Sequence, residues 1–364
     1  MEAGWIRAVG VISGTSMDGI DVALVDTDGE RGVRPGPVHQ GAYPDALRRA
    51  LKALIDDPER ARTQALDELE AAVTEAHLRA IEGLIAKIPA GEAPVTLIGF
   101  HGQTVLHRPD QKFTRQLGRG AAVAARLGID TVDRFRHDDV AAGGEGAPFV
   151  PLYHRALAAS LPQPLMVLNL GGVGNVTYLD GETVIAFDTG PANAPVDDFV
   201  ARRAGQAFDA DGAVAATGRV DEGILAAFLA DPYFARPYPK SLDRQDFARH
   251  AASVEALSTP DGAATLSAFA VESAARALDQ VPRPPRRWLV TGGGRRNGHL
   301  MARLAARLGV PVGPVGEVGW DGDFLEAQAF AYLAVRSLRG LPLSLPATTG
   351  VPRPMTGGAL HRAA

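Results

Sequence analysis

The chain of 364 residues carries 37 Lys and Arg against 42 Asp and Glu, a formal net charge of -5, and is 46% hydrophobic and 22% charged. Length predicts about two domains and composition an ordinary globular class, while the acidic balance argues against general affinity for nucleic-acid phosphates. The chain has no Cys, which excludes disulfides, thiolate catalysis and Cys-ligated metals and suits a reducing cytoplasm.

In chain order, residues 6–13 read as an apolar strand that breaks at Gly14. Residues 20–26 read as a second strand, with Ile20, Val22 and Leu24 alternating against polar residues. The short Gly-bounded loop between them predicts a hairpin. The opening residues fit neither a signal peptide nor a membrane span, and no apolar run approaches the ~20 residues that a spanning helix needs, so no membrane partner is expected. Leu66, Leu69, Val73, His77, Ile81 and Leu84 recur at helical spacing and predict an amphipathic helix over 63–88. The run 95–100 predicts a buried strand ending at His101. A helix over 121–127 and a strand over 129–135 follow. The Gly/Pro-rich stretch 141–151 reads as a crossover between domains.

After the crossover the opening pattern returns. A strand over 164–170 leads to the turn "GGVGN" at 171–175, and two further strands meet at a tight Asp180-Gly181 turn. Strand, Gly turn and paired strand thus occur in each half, a weak internal repeat. Helices are predicted over 192–205, 221–229 and 266–278. Residues 288–309 give strand, Gly turn and helix, and 324–338 a last helix. The Pro/Gly-rich tail 340–358 is predicted to be non-helical and to lie across a surface.

Chemistry concentrates at the turns. In "GTSMDG", backbone N–H groups can converge on phosphate oxygens, and Thr15 and Ser16 add hydroxyls. Asp18 would repel a bare phosphate, but suits a cation such as Mg2+ on a nucleotide, or a sugar hydroxyl. The turn lacks the GK[ST] ending of a P-loop and precedes a strand, so it is neither a Walker A loop nor a dinucleotide fingerprint. An ordinary hairpin loop is the plain alternative. A second turn at Gly171, Gly172, Gly174 and Asn175, and a third at Gly292, Gly293 and Gly294 ahead of a helix, favour an anionic ligand, although Gly turns are common in a chain with 41 Gly. Asp188 ends a predicted buried strand before "TGPAN" and is a candidate general base or a turn cap. His101, with Gln103 and Thr104 in "HGQT", is a candidate ligand contact or a hydrogen-bonded structural residue. Arg134 and Arg136 are either solvated or paired with a ligand carboxylate or Asp139. Glu326 opens the last helix, where it suits the helix dipole. HExxH, a His cluster and GxSxG are all absent from the sequence.

The ordered set "GVISGTSMDGIDVAL", "IGFHGQTVLHRP", "DDVAAGGEGAPFVPLYHRAL", "LNLGGVGNVTYL", "FDTGPANAPVDDF", "PKSLDRQDF", "VTGGGRRN" and "GWDGDFLEAQAFAYLAVRSLRGLPLSLPATTG" resembles the anhydro-N-acetylmuramic acid kinases over nearly the whole chain. The resemblance implies the two-domain α/β actin-like ATPase fold of sugar kinases and Hsp70, with mixed sheets, flanking helices and ATP in the interdomain cleft. Residues 1–140, with the tail 341–364 packing back, would form one domain and 141–340 the other. Gly14, Thr15, Ser16, Met17, Asp18 and Gly19 would be the first phosphate loop. Asn169, Gly171, Gly172, Gly174 and Asn175 would be the second, and Gly292, Gly293, Gly294 and Asn297 the adenosine side. The implied reaction opens 1,6-anhydro-N-acetylmuramic acid with water while O6 takes the γ-phosphoryl group of ATP. Asp188 matches the family's catalytic Asp; His101, Gln103, Arg136 and Glu326 would contact the sugar, Arg136 near its lactyl carboxylate.

The resemblance carries ATP and Mg2+ as cofactors, a cytoplasmic setting and a homodimer. Two positions depart from the family's "DFR" and "GGQGAP": here Arg134 precedes Phe135-Arg136, and Glu145 stands in the second block. A kinase of another sugar or small carboxylate is the alternative enzyme, and a non-catalytic nucleotide or sugar sensor the alternative class. Such sensors often carry an added helix-turn-helix, for which the first strand leaves no room.

Overall fold

The computed structural model describes residues 4–14, 17–242 and 247–363. The chain forms two compact units, Met1–Ala159 with Phe324–Ala364, and Ser160–Asp323. The boundaries expected at 140/141 and 340/341 both move. The helix Leu325–Leu338 belongs to the first unit, because it packs on the strands there.

In the first unit, β1 (Ile6–Ser13), β2 (Ile20–Thr27) and β3 (Val33–Gly41) form an antiparallel meander. Beside β1, and parallel to it, runs β4 (Leu97–Arg108), then β6 (Asp130–Asp133), parallel again. The strand β5 (Phe113–Leu117) pairs with the far half of β4, and the last strand, β12 (Ala359–His361), closes the edge on β6. The expected end of the strand at His101 is therefore corrected. The apolar run stops near Phe100, but β4 continues to Arg108 because Gln103–Arg108 finds a hairpin partner in β5. Antiparallel pairing across a short turn stabilises a polar segment that apolar patterning alone does not mark.

The two faces of this sheet are covered differently. Helix Asp67–Ile85, within the predicted span, lies on β2 and β3 and contributes Val73, Leu78, Ile81 and Leu84 to the core. Its first turn carries Asp67, Glu68 and Glu70, which suit a helix N-terminus. The helix Leu325–Leu338 lies on β1, β2 and β4. There Gly10 and Gly99, in register on neighbouring strands, admit its backbone: a Cβ on Gly10 would sit 1.9 Å from Ala327 O, and one on Gly99 2.1 Å from Phe330 O. The tail is not wholly irregular, as Pro346–Thr349 makes one helical turn with Pro in the first position, where its missing N–H costs nothing.

The second unit holds β7 (Leu165–Leu170), β8 (Val173–Asp180), β9 (Thr183–Pro191), β10 (Arg287–Thr291) and β11 (Val312–Pro314), in the order β11-β10-β7-β8-β9. The strands β7, β8 and β9 form the antiparallel meander, and β10 and β11 are parallel to β7 and to each other. This is the order and sense of β6-β4-β1-β2-β3 in the first unit. The weak sequence repeat thus corresponds to a repeated sheet. Helices Ala194–Ala204 and Thr259–Ala275 build the accompanying core around Phe199, Phe228 and Phe269. The "GGVGN" turn is shorter than expected: only Gly171 and Gly172 lie between strands, and Gly174 and Asn175 are inside β8, paired with Gly190 and Asp188. Among the described residues no helix is long and apolar enough to cross a membrane.

His77 is fully buried in helix Asp67–Ile85, with Nδ1 2.9 Å from Val73 O and its ring edge-on to Tyr43 and Phe100. Burial lowers its pKa from 6.5 to about 4. The unfolded chain therefore takes up a proton before the folded one as pH falls. The stability tied to this group is whole above about pH 6.5 and is lost as pH drops towards 4. In a His77→Gln variant the fall of melting temperature between pH 6.5 and 4 is expected to be shallower than in the parent; an unchanged slope would count against this.

Candidate active site

The first candidate turn leaves β1 at Gly14. The Gly14 carbonyl accepts from Met17 N at 3.1 Å and from Gln103 Nε2 at 3.3 Å. Met17 adopts a left-handed conformation, φ 56°, and its side chain is buried. Thr15 and Ser16 lie outside the described residues. The Asp18 side chain is 74% exposed and 3.6 Å from Arg48. Gly19 stands at the entry to β2, against Gln40. Gln103, expected to contact a ligand, is enclosed: its Oε1 accepts from Ser13 Oγ at 2.6 Å and Tyr43 OH at 3.1 Å, and its Nε2 also donates to Thr104 O. It fastens the base of the turn.

His101, Arg136 and Glu326 come together in the first unit. Arg136 Nε donates to His101 Nε2 at 2.8 Å, so the other ring nitrogen carries the proton and donates to Gly102 O at 2.9 Å. Burial, then the Arg136 charge, holds His101 well below its usual pKa, and it is neutral. Arg136 Nη1 donates to Gly146 O at 2.6 Å. Glu326 is exposed as a residue, yet desolvation of its carboxyl is the largest influence on it and raises its pKa; Arg136 opposes this and Asp21 adds to it.

Asp139, the alternative partner for Arg136, accepts hydrogen bonds elsewhere. Its Oδ1 takes Gly146 N at 2.7 Å, and its Oδ2 takes Ser344 Oγ at 2.5 Å and Thr349 Oγ1 at 2.6 Å. It ties the tail to the loop that receives Arg136. The Glu145 backbone is held in the same knot, its N donating to Thr349 O and its carbonyl accepting from His107 Nε2. Arg134 is exposed with φ 58°.

In the second unit, β7 and β10 are neighbours and end side by side at Asn169 and Thr291, which brings their two Gly turns together. A Cβ on Gly292 would meet Asn169 Oδ1 at 2.3 Å, and one on Gly294 would meet Leu170 Cβ at 2.7 Å, whereas Gly293 has nothing within 4 Å. The two turns therefore pack closely and leave backbone open at Gly293. Asn297 caps the helix Gly298–Leu308, its Oδ1 accepting from Leu300 N at 3.0 Å, and its Nδ2 donates to Asn193 Oδ1 at 3.3 Å. Asn193 was not singled out from the sequence, yet it joins both turns: its N donates to Gly171 O at 3.1 Å and its Nδ2 to Asp197 Oδ2 at 2.6 Å.

Asp188 lies on β9, opposite Asn175 of β8. Its Oδ2 accepts from Leu242 N at 2.9 Å, its N donates to Lys240 O at 3.0 Å, and its carbonyl accepts from Tyr233 OH. The Leu242 N–H orients the carboxylate through Oδ2, and a carboxylate is a group that can accept a proton. Among the described residues no group of three or more His, Cys, Asp or Glu is placed to hold a metal ion.

A repeated mixed sheet with Gly turns at its strand ends and an oriented carboxylate on one strand is the build of an α/β enzyme of two like units. Residues 6–363 match the family model described as "Anhydro-N-acetylmuramic acid kinase". The chain belongs to that family. It is 53% identical over 363 residues to the anhydro-N-acetylmuramic acid kinase of Rhodospirillum rubrum, covering 99% of this chain and 96% of that protein. It is 50% identical over 375 residues to the enzyme of the same name from Methylobacterium nodulans, covering 98% and 100%. Among solved structures, a ligand-bound xylulose kinase from Lactobacillus acidophilus aligns over 98% of this chain and 94% of its own at 12% identity and a TM-score of 0.46.

Proposed function

We propose that this chain transfers the γ-phosphoryl group of ATP to O6 of 1,6-anhydro-N-acetylmuramic acid while water opens the anhydro ring. The products would be N-acetylmuramic acid 6-phosphate and ADP, in the reuse of cell-wall sugar. The observation that carries this reading is the match of residues 6–363 to a family of that name. Asp188 takes the proton of the attacking water, and the water oxygen bonds to C1. The C1–O6 bond breaks, O6 captures the phosphoryl group, and the bridging oxygen leaves with ADP. No second carboxylic acid is needed to protonate the leaving oxygen, unlike in an inverting glycosidase.

The open backbone at Gly293 and the close Gly171–Gly172 turn support an assignment to ATP, as does the turn from Gly14 to Gly19. Arg136 is assigned to the lactyl carboxylate, with neutral His101 orienting it, and Glu326 to a sugar hydroxyl. Asp18 fits a Mg2+ on the triphosphate, since its exposed carboxylate is a hard oxygen donor held only at 3.6 Å by a solvated Arg48. When bound, that ion offsets phosphate charge. The same resemblance carries a cytoplasmic homodimer as part of the proposal.

The test is product analysis by mass spectrometry with the anhydro sugar, ATP and isotopically labelled water. Label on the anomeric oxygen of a phosphorylated product is expected; no turnover of the anhydro sugar, with turnover of another sugar, would overturn the reading. In an Asp18→Asn variant the rate is expected to fall more than the sugar affinity, with a higher Mg2+ requirement. An unchanged rate and unchanged Mg2+ dependence would remove Asp18 from that place.

A further inference from the structure

Asp139 is a carboxylate only 2% exposed, and it spends both oxygens inside the first unit. Oδ1 accepts from Gly146 N at 2.7 Å, and Oδ2 accepts from Ser344 Oγ at 2.5 Å and Thr349 Oγ1 at 2.6 Å. Neither oxygen is bonded to Arg136, the nearby buried cation. Burial lowers the Arg136 pKa, and the charges of Glu326 and Asp139 act against that.

Gly146 stands between the two. Its N–H goes to Asp139, and its carbonyl accepts from Arg136 Nη1 at 2.6 Å. Gly146 has φ 65°, and a Cβ on it would meet Val140 Cγ2 at 2.5 Å and His107 Cε1 at 2.8 Å. A Cβ on Gly144 would meet Asp139 Oδ1 at 2.3 Å. The loop therefore closes on the carboxylate with no room for a side chain at either position. The tail closes on the loop as well, since Thr349 O accepts from Glu145 N.

The consequence falls on Arg136. A direct Asp–Arg pair would occupy the guanidinium fork with two parallel hydrogen bonds. Routed through Gly146, the carboxylate lends its charge and takes none of the Arg136 N–H groups. Nε is spent on His101 Nε2 at 2.8 Å and Nη1 on Gly146 O, while Nη2 has no hydrogen-bond partner among the described residues. The rings of Phe149 and Phe330 flank the guanidinium, their centres 5.6 and 6.0 Å from its carbon. An arginine fixed at two points, with planar donors left over, matches an anion that offers two oxygens, such as a carboxylate.

We propose that Asp139, locked by Ser344 and Thr349 of the tail, is a positioning residue that sets the carboxylate selectivity of Arg136 by fixing the Gly146 carbonyl. This rests on the assignment of Arg136 to the lactyl carboxylate. With the loop released, the guanidinium loses one of its two fixed points, and its remaining donors lose the aim that a bidentate pair requires.

The test compares 1,6-anhydro-N-acetylmuramic acid with its lactyl carboxamide, a neutral compound of the same shape. Binding of each to the full chain is measured by titration calorimetry without ATP. The parent is expected to prefer the acid by about 10-fold or more. Asp139→Ala is expected to weaken the acid about 10-fold while the amide and ATP each stay within about threefold, so that the preference collapses. A general loosening of the fold would instead raise all three dissociation constants together. Asp139→Asn keeps an oxygen for Gly146 N and is expected to restore most of the loss. In an Arg136→Gln background, Asp139→Ala is expected to cost less than about threefold, because its effect runs through a guanidinium already removed. Should Asp139→Ala fail to fold, the pair Ser344→Ala and Thr349→Val decides. It removes both tail hydroxyls from Oδ2, and is expected to lower the preference about threefold or more. No preference for the acid in the parent, or an unchanged preference in Arg136→Gln, would overturn the Arg136 assignment and this inference with it. A preference lost in Arg136→Gln but kept in Asp139→Ala, or all three constants raised alike there, would overturn the positioning role alone.

Discussion

Replacing Asp188 by Asn is expected to abolish nearly all turnover of the anhydro sugar while ATP still binds. Asn has the shape of Asp, and its Oδ1 can still accept from Leu242 N, so the segment at Leu242 and the strand keep their places. What is lost is the capacity to take a proton. General-base contributions are typically about 10²–10⁴-fold, and the proposed role of Asp188, on water as a weak nucleophile, predicts a loss in the upper part of that range. ADP release in a coupled assay gives kcat, and calorimetric titration with ATP gives the binding that should be unaltered. Full activity would show that water is activated elsewhere. Equal loss of ATP binding would show that the carboxylate serves the nucleotide instead.

The second large effect is expected from a single methyl group inside the sheet of the first unit. Gly10→Ala places a Cβ where Ala327 O stands 1.9 Å away and Ala331 N 2.4 Å away. Both are backbone atoms of the helix Leu325–Leu338, so no side-chain rotation relieves the clash. The helix must lift or the strand must bend, and overpacking of this kind costs about 3 kcal/mol. Gly99→Ala meets the same helix through Phe330 O at 2.1 Å. Because Glu326 is next to Ala327 and the Phe330 ring lies tilted against His101, centroids 4.5 Å apart, a lifted helix also carries the candidate sugar contacts out of place. Lower melting temperature and lower kcat should therefore appear together in either variant. A Gly10→Ala protein that melts like the parent would mean that the helix does not seat on the strand this closely.

Neither glycine stood out in the sequence, although both lie inside quoted motifs. Residues 6–13 are legible as a strand because apolar side chains mark it, but the reason for a Gly in its middle sits more than three hundred residues away. The helical spans 67–85 and 194–204 were legible from local periodicity and were predicted within a few residues. The far half of β4 was not, because its partner β5 and not its own composition makes it a strand. The same division runs through the candidate site. Asp188 and His101 stood out at expected strand ends, but β9 runs on to Pro191 and β4 to Arg108, so both lie inside strands; Arg136 stood out beside a Gly-rich break. Gln103 carried the same signal, yet it is spent on Ser13 and Tyr43, neither close in sequence. Asn297 could have been recognised as a helix cap, since Asn directly before a helical run is a known N-terminal signal. Lys240 lies in the quoted "PKSLDRQDF", but its burial was not legible there, because a Lys between Pro and Ser reads as surface until the fold encloses it.

The return of the helix Leu325–Leu338 and of β12 to the first unit has a consequence for biosynthesis. Residues 160–323 form a continuous stretch, all of which has been made before residue 324 is added. The first unit cannot be completed then, though its strands emerge earlier. Until the last forty or so residues are made, the Gly10 and Gly99 face of its sheet has no cover and β6 has an open edge. In order of synthesis the second unit is therefore complete in sequence before the first.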